Sequence, residues 1–342
     1  MKNVNELTVN GLGGNDTFRV VNILPGLESI NFIGGAGSDR VQSLNQNTAW
    51  HIEDQNAGTI EPTQLDSLDS FSFSEIESLT GGTAQDQFKF KANGALDGNL
   101  SDIGGEDTLD YSSVTSAVTV DLANETSSAI AGTTSDLEIF IGTTANDTLI
   151  GADINNTWQI TQNNTGTLNG SSFQDFENFI GGNEEDNFIF EAGATIKGAI
   201  EGNNGFNLLD WTATEGDDTI SVEQNQLTQN SNQITYSAIN VLNLETANGN
   251  DTVTIETQGT PNQIDISTGE GSDNIAINVA PAATTQINLD SGSDRDQLSI
   301  NGTAEADQVE MTDLLVNVNE VSATLANVED LAIATGAGSD RV

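Results

Sequence analysis

Apolar and polar positions alternate in short runs along almost the whole chain. Val253 and Ile255 stand between threonines, Ile275 and Ile277 flank an alanine, and Leu298 and Ile300 flank a serine. A period of two is the signature of a strand that buries one face. Each run opens at an aspartate, and many of these aspartates follow a glycine two places earlier, as at Gly249/Asp251 and Gly271/Asp273. Glycine permits a corner with positive φ, and the aspartate side chain can bond the backbone of that corner. A corner with one short strand cannot bury its own apolar face. It needs copies of itself on either side.

The chain supplies them. The corner-plus-strand unit recurs at Asp16, Asp39, Asp86, Asp107, Asp147, Asp186, Asp218, Asp251, Asp273, Asp296, Asp307 and Asp340. Successive spacings are 23, 47, 21, 40, 39, 32, 33, 22, 23, 11 and 33, many of them near multiples of eleven. Self-similarity at such periods predicts a repeat architecture. The expected fold is all-β: a parallel β-solenoid, like a β-roll or β-helix, with ~22 residues per coil and essentially no helix. A spacing of eleven then reads as half a coil and one of 33 as one and a half.

Longer repeats lie over this period. Phe73 to Phe90 (FSEIESLTGGTAQDQFKF) matches Phe173 to Phe190 (FQDFENFIGGNEEDNFIF) at an offset of 100, with Trp50 and Trp158 heading the two copies. The first copy carries extra residues from Glu61 to Leu68, read as a surface loop. Towards the C-terminus the offset is 89, pairing Asp218 with Asp307 and Asp251 with Asp340. The expected organisation is short-repeat coils over 1–47, a 100-residue module over 48–155, a partial second copy over 156–213, and one and a half 89-residue modules over 214–342. No linker composition separates them, so one continuous solenoid is expected. Both ends stop inside the pattern without a capping unit, which suggests a segment of a longer parent chain or ends that associate with neighbours.

Charge narrows the partners. The chain has 52 acidic side chains, eight basic ones and one histidine, a net charge of −44. That balance argues against nucleic acid and anionic membrane surfaces. No apolar run is long enough to cross a bilayer as a helix. Cysteine is absent.

Three sets of side chains are candidates for chemistry. The corner aspartates could each cap their own turn or could bind calcium, a hard cation that takes carboxylate and carbonyl oxygens. The metal candidates are Asp16, Asp39, Asp251, Asp273, Asp294, Asp296 and Asp340. A second set is Glu28, Glu77, Glu138, Glu177 and Glu329, each nine or eleven places ahead of a corner aspartate and expected on a solvated outer face. The third is catalytic, and it is thin. His51 is the only histidine, its counterpart in the second copy is Gln159, and the few basic residues are scattered. An enzyme is not expected. Trp50, Trp158 and Trp211 hold fixed places in the repeats and read as packing residues.

The corner words resemble RTX, haemolysin-type calcium-binding repeats in a degenerate form: GGAGSDRV, Gly34 to Val41, fits the G-G-x-G-x-D-x-apolar pattern. The chain departs from that family in its spacing, because RTX sites form between consecutive nonapeptides and these aspartates recur at ~22 residues. NVEDLAIATGAGSD (Asn327 to Asp340) and FENFIGGNEEDNFIF (Phe176 to Phe190) are similar to modules of giant bacterial surface proteins built of repeated strands. The resemblance implies an exported bacterial protein at the cell surface. Its role would be structural, in an adhesin, filament or matrix, with Ca2+ as the candidate ion. The alternatives are an adhesin that presents a flat solenoid face to glycan, mineral or ice, and an S-layer-like component.

Overall fold

The computed structural model describes residues 4–23, 26–62 and 70–342. Among these there is no helix, and 36 strands are joined chiefly in parallel. Most of the extra loop expected at Glu61 to Leu68 lies outside the described residues; Glu61 and Pro62 themselves close the strand Ala57–Pro62. The chain divides into two compact units, Met1–Ala152 with Leu168–Glu177, and Asp153–Thr167 with Asn178–Val342.

The second unit shows the repeat most plainly. From Val241 onward the chain alternates between two sheets. Thr252–Glu256, Asn274–Asn278, Gln297–Asn301 and Asp330–Ala334 lie side by side in one. Val241–Glu245, Gln263–Ser267 and Gln286–Asp290 lie side by side in the other. The register follows the sequence period. Val253 faces Ile275 and Ile275 faces Leu298, the same steps of 22 and 23 that separate Asp251, Asp273 and Asp296. A slip by one residue would turn every buried side chain outward. Val253, Ile255, Ile275 and Ile277 are fully buried, and each contributes roughly 1.5–3 kcal/mol by leaving water. Tight stacking also fixes corner glycines. At Gly271, φ is +132°, and a Cβ there would lie 1.7 Å from the carbonyl oxygen of Gly249.

The spacings of 33 and of 11 have different origins. Between Asp218 and Asp251 the added residues form a hairpin rather than half a coil. Thr219–Glu223 runs antiparallel to Gln226–Gln229, which runs antiparallel to Asn232–Ser237. The outer strands of this meander pair in parallel with Thr252–Glu256 and Ala199–Glu201. Gln224 and Asn225 both have positive φ, as the two-residue turn of such a hairpin requires. The short step from Asp296 to Asp307, by contrast, carries the chain from one sheet to the other. A second meander, Val309–Met311, Leu315–Val318 and Val321–Ala326, extends the sheet opposite the first.

The first unit follows the same plan. Glu6–Asn10, Ser29–Ile33 and Ser70–Ser74 pair in parallel. A meander through Ala57–Pro62 leads to Thr48–Asp54, and the parallel series resumes with Asp86–Phe90, Thr108–Asp110 and Ile139–Ile141. Thr17–Arg19, Arg40–Gln42, Ser78–Thr80 and Leu100–Ser101 form a smaller parallel sheet. The 100-residue repeat is visible in the packing. Trp50 stacks on Phe88 with centroids 5.5 Å apart in the first unit, and Trp158 stacks on Phe188 at 5.5 Å in the second. All three tryptophans are buried, as packing residues should be.

Candidate functional site: a carboxylate ladder and a buried triad

The residue just before a strand does the same work at corner after corner. Its side-chain oxygen accepts the backbone N–H of the residue in register one rung earlier. In the second unit, Asp218 N–H donates to Asp251 Oδ1 (2.8 Å), Asp251 N–H to Asp273 Oδ1 (2.8 Å), and Asp273 N–H to Asp296 Oδ1 (2.9 Å). Asp307 N–H donates to Asp340 Oδ1 at 3.0 Å. In the first unit, Asp16 N–H donates to Asp39 Oδ1 and Asp86 N–H to Asp107 Oδ1, both at 2.7 Å. The interaction joins rungs, so it exists only if the corners lie one over another.

Several aspartates use an oxygen on their own corner. Gly82 N–H donates to Asp86 Oδ2, Thr303 N–H to Asp307 Oδ2, and the Thr246 hydroxyl to Asp251 Oδ2. At Asp251, whose Oδ1 takes Asp218 N–H, capping of the local turn and capping of the neighbouring rung coexist in one side chain. Burial raises Asp251 and Asp296 above the ordinary carboxylate range.

Four of the five recurring glutamates belong to this ladder; Glu177 is buried and Glu77 and Glu138 are half-buried, which corrects their assignment to a solvated face, whereas Glu28 and Glu329 are exposed as expected. Glu77 Oε2 accepts from Asp39 N–H (2.7 Å), Glu138 Oε2 from Asp107 N–H (2.9 Å), Glu177 Oε2 from Asp147 N–H (2.8 Å), and Glu329 Oε2 from Asp296 N–H (3.0 Å). Each stands two places after a residue of positive φ: Glu75, Asp136, Asp175 and Asn327. Glu28 sits at the same register but accepts from the Asn5 side chain. Asn207 and Asn240 show that the step needs an acceptor rather than a charge. Asn207 Oδ1 takes Asp186 N–H (3.0 Å), and Asn240 Oδ1 takes Asn207 N–H (2.8 Å).

The seven metal candidates named from the sequence are therefore distributed as follows. Asp16 and Asp39 are ladder neighbours in the first unit, and Asp251, Asp273 and Asp296 are consecutive in the second. Asp340 accepts from Asp307, and Asp294 lies exposed in the turn before Asp296, with φ +84°. Oδ2 of Asp16, Asp39, Asp273 and Asp296 is buried without a donor.

A different corner gathers more. Asp86, Asp102 and Asp107 present oxygens that all lie within 4.8 Å of one another, the one such grouping of three ligating side chains among the described residues. The three residues are 1, 5 and 0% exposed. One oxygen of each is held by backbone N–H groups. Asp86 Oδ2 takes Gly82, Asp102 Oδ1 takes Ile103 and Gly104, and Asp107 Oδ1 takes Asp86. The others, Asp86 Oδ1, Asp102 Oδ2 and Asp107 Oδ2, are buried without a donor. Burial, with the neighbouring carboxylates adding to it, pushes Asp86 and Asp102 up to about 6 and Asp107 to about 7. The cluster could hold a metal ion. Asp102 lies outside the periodic series of corner aspartates, so their spacing gives no sign of it.

Elsewhere ionic pairing is sparse. Lys89 Nζ meets Asp110 at 3.1 Å; burial opposes ionisation of Asp110, but Ser112 and Lys89 outweigh it and hold its carboxyl below the ordinary value. His51 lies 3.5 Å from Glu61 and Arg295 2.7 Å from Asp330. No family model matches the chain, and no curated protein matches it.

Proposed function

We propose that this chain is a structural segment of a bacterial surface adhesin, filament or matrix protein: an extracellular parallel β-solenoid of ~22 residues per coil, rigidified by calcium. The observation that carries the reading is the ladder. Asp251, Asp273 and Asp296 each cap a neighbouring rung, in strands whose register repeats every 22 or 23 residues. Such a ladder makes neighbouring rungs mutually dependent and serves length and stiffness rather than turnover. The strongly negative charge supports a solvated, extracellular setting that attracts cations. Small-angle scattering of the full chain tests the reading. An elongated particle is expected, and a compact globular profile would refute it.

A specific observation favours a second reading, the ligand-binding adhesin. Asp210, Asn243, Asp265 and Asn288 form a row in register beside Leu244, Ile266 and Leu289, lining a groove of about 660 Å³ in the second unit. The amides of Asn243 and Asn288 donate to Asp210 and Asp265. Carboxylates and amides on a fixed rung spacing are suited to the hydroxyls of an extended glycan. Retention on a glycan array, abolished by N243A with N288A, would support that role.

A further inference from the structure

We propose that Asp86, Asp102 and Asp107 form a site for a single calcium ion, clamped between two successive rungs of the first unit. The proposal rests on the calcium part of the functional reading and gives it a place and a stoichiometry. It does not use the metal candidates drawn from the repeat.

The first argument is a break in the repeat. Five places before the corner residue, the other corners carry glycine, alanine, serine or threonine, as at Gly34, Gly142, Ala213, Thr246 and Ser291. Only the corner ending at Asp107 places a carboxylate there, Asp102. At Thr246 this position supplies a hydroxyl donor to the corner aspartate. At Asp102 it supplies a second acceptor instead, facing two carboxylates inside the protein. Buried like charges without a donor are costly, and a cation or bound protons must offset them.

The second argument is the set of orphaned oxygens. One oxygen on each of the three side chains is buried with no donor, while the partner oxygen of the same carboxylate is fixed by a backbone N–H. Each carboxylate is thus held in place through one of its oxygens. No lysine, arginine or histidine is paired with them; the ion pairs among the described residues lie at His51, Lys89 and Arg295.

The third is room. A Cβ on Gly81 would fall 1.6 Å from Asp102 Oδ2 and 2.7 Å from Asp86 Oδ2, so the Asp102 carboxylate occupies space that only glycine leaves open on the adjacent rung. Oxygens within 4.8 Å of one another can share an ion bound at ~2.3–2.6 Å. An all-carboxylate set is hard and anionic, which favours calcium over zinc or copper.

The test uses the full chain after chelation and buffer exchange, titrated calorimetrically with CaCl2 and separately with MgCl2. Asp102→Ser is the main variant, because Ser291 shows that a serine is accommodated at this place. The wild type should bind one more calcium ion than D102S, or bind that ion at least tenfold more tightly, with the strand signal in circular dichroism unchanged. Calcium should raise the melting temperature of the wild type more than that of D102S, and in chelator D102S should melt higher than the wild type. Gly81→Ala keeps all three carboxylates and should weaken the same binding event at least tenfold. Equal calcium stoichiometry and affinity in wild type and D102S, including no binding to either, would overturn the site. Tighter magnesium than calcium binding would overturn the choice of ion. An elongated scattering profile with no calcium response would retain the solenoid and discard the site, which separates the two failures.

Discussion

Replacement of Asp273 separates hydrogen bonding from charge in the ladder. Asp273 is 1% exposed and its Oδ1 accepts the buried N–H of Asp251 at 2.8 Å. Asp273→Ala removes the acceptor and leaves that N–H buried and unpaired. A buried donor stranded in this way costs roughly 1–3 kcal/mol, and charge-assisted bonds lie at the upper end. A loss of about 2–3 kcal/mol corresponds to a fall in melting temperature of roughly 4–12 °C for a cooperative unit of 150–250 residues. Asp273→Asn keeps an oxygen for the Asp251 N–H and removes a negative charge from a column that holds Asp251 and Asp296. The chain already uses this solution at Asn207, whose amide donates to the carbonyls of Gly202, Asn204 and Ala238. D273N should therefore melt within a few degrees of the wild type, at most ~1 kcal/mol away. Thermal unfolding followed by far-ultraviolet circular dichroism in chelator keeps cations out of the comparison. If D273N melts as low as D273A, the column depends on charge and the hydrogen-bond account is wrong.

Other expectations follow from the same geometry. In chelator, the triad makes stability fall as pH rises. Its folded values of about 6, 6 and 7 lie above the ordinary 3.8, so the folded chain holds protons that the unfolded chain releases. The stabilisation is complete below ~4 and lost through ~6 to 7; after allowance for water screening, D102S should gain ~1–2 kcal/mol on the wild type across that window, read from urea midpoints. Gly271→Ala should cost at least ~2 kcal/mol, because φ is +132° and the new Cβ would meet the Gly249 carbonyl; a denaturation midpoint equal to wild type would refute the close stacking. Glu177→Gln should be tolerated and Glu177→Ala should lose ~1–3 kcal/mol, since Oε2 receives Asp147 N–H. Hydrogen exchange at the Asp147 amide would report the loss directly.

Much of this was legible in the sequence. Alternation at Val253/Ile255 and Ile275/Ile277 marked the strands and their buried faces. The spacing of Asp251 and Asp273 implied that the two lie side by side in one column, and they do. The meanders were not legible from spacing, because the same added length serves equally as half a circuit or as one extra hairpin pair. Local turn chemistry was the available signal, in the pair Gln224–Asn225 and again at Asn319, where φ is positive. Glu77, Glu138 and Glu177 depart from the expected solvated face for a related reason. Their distance to the next aspartate carries no information about their role, because that role depends on the previous rung, which lies 30–38 residues back. Asp102 escaped because a search for what repeats passes over what does not. Aligning the corners on their aspartates and reading five places back isolates it.

The ladder also has a direction. Each of its amides waits for an oxygen that comes later in the chain, as Asp218 waits for Asp251 and Asp251 for Asp273. A polypeptide emerging N-terminus first would therefore seal its last corner only when the following one arrives. Assembly from that end proceeds like a zip whose teeth are delivered in order, with every new turn locking its predecessor and leaving one open tooth at the growing front.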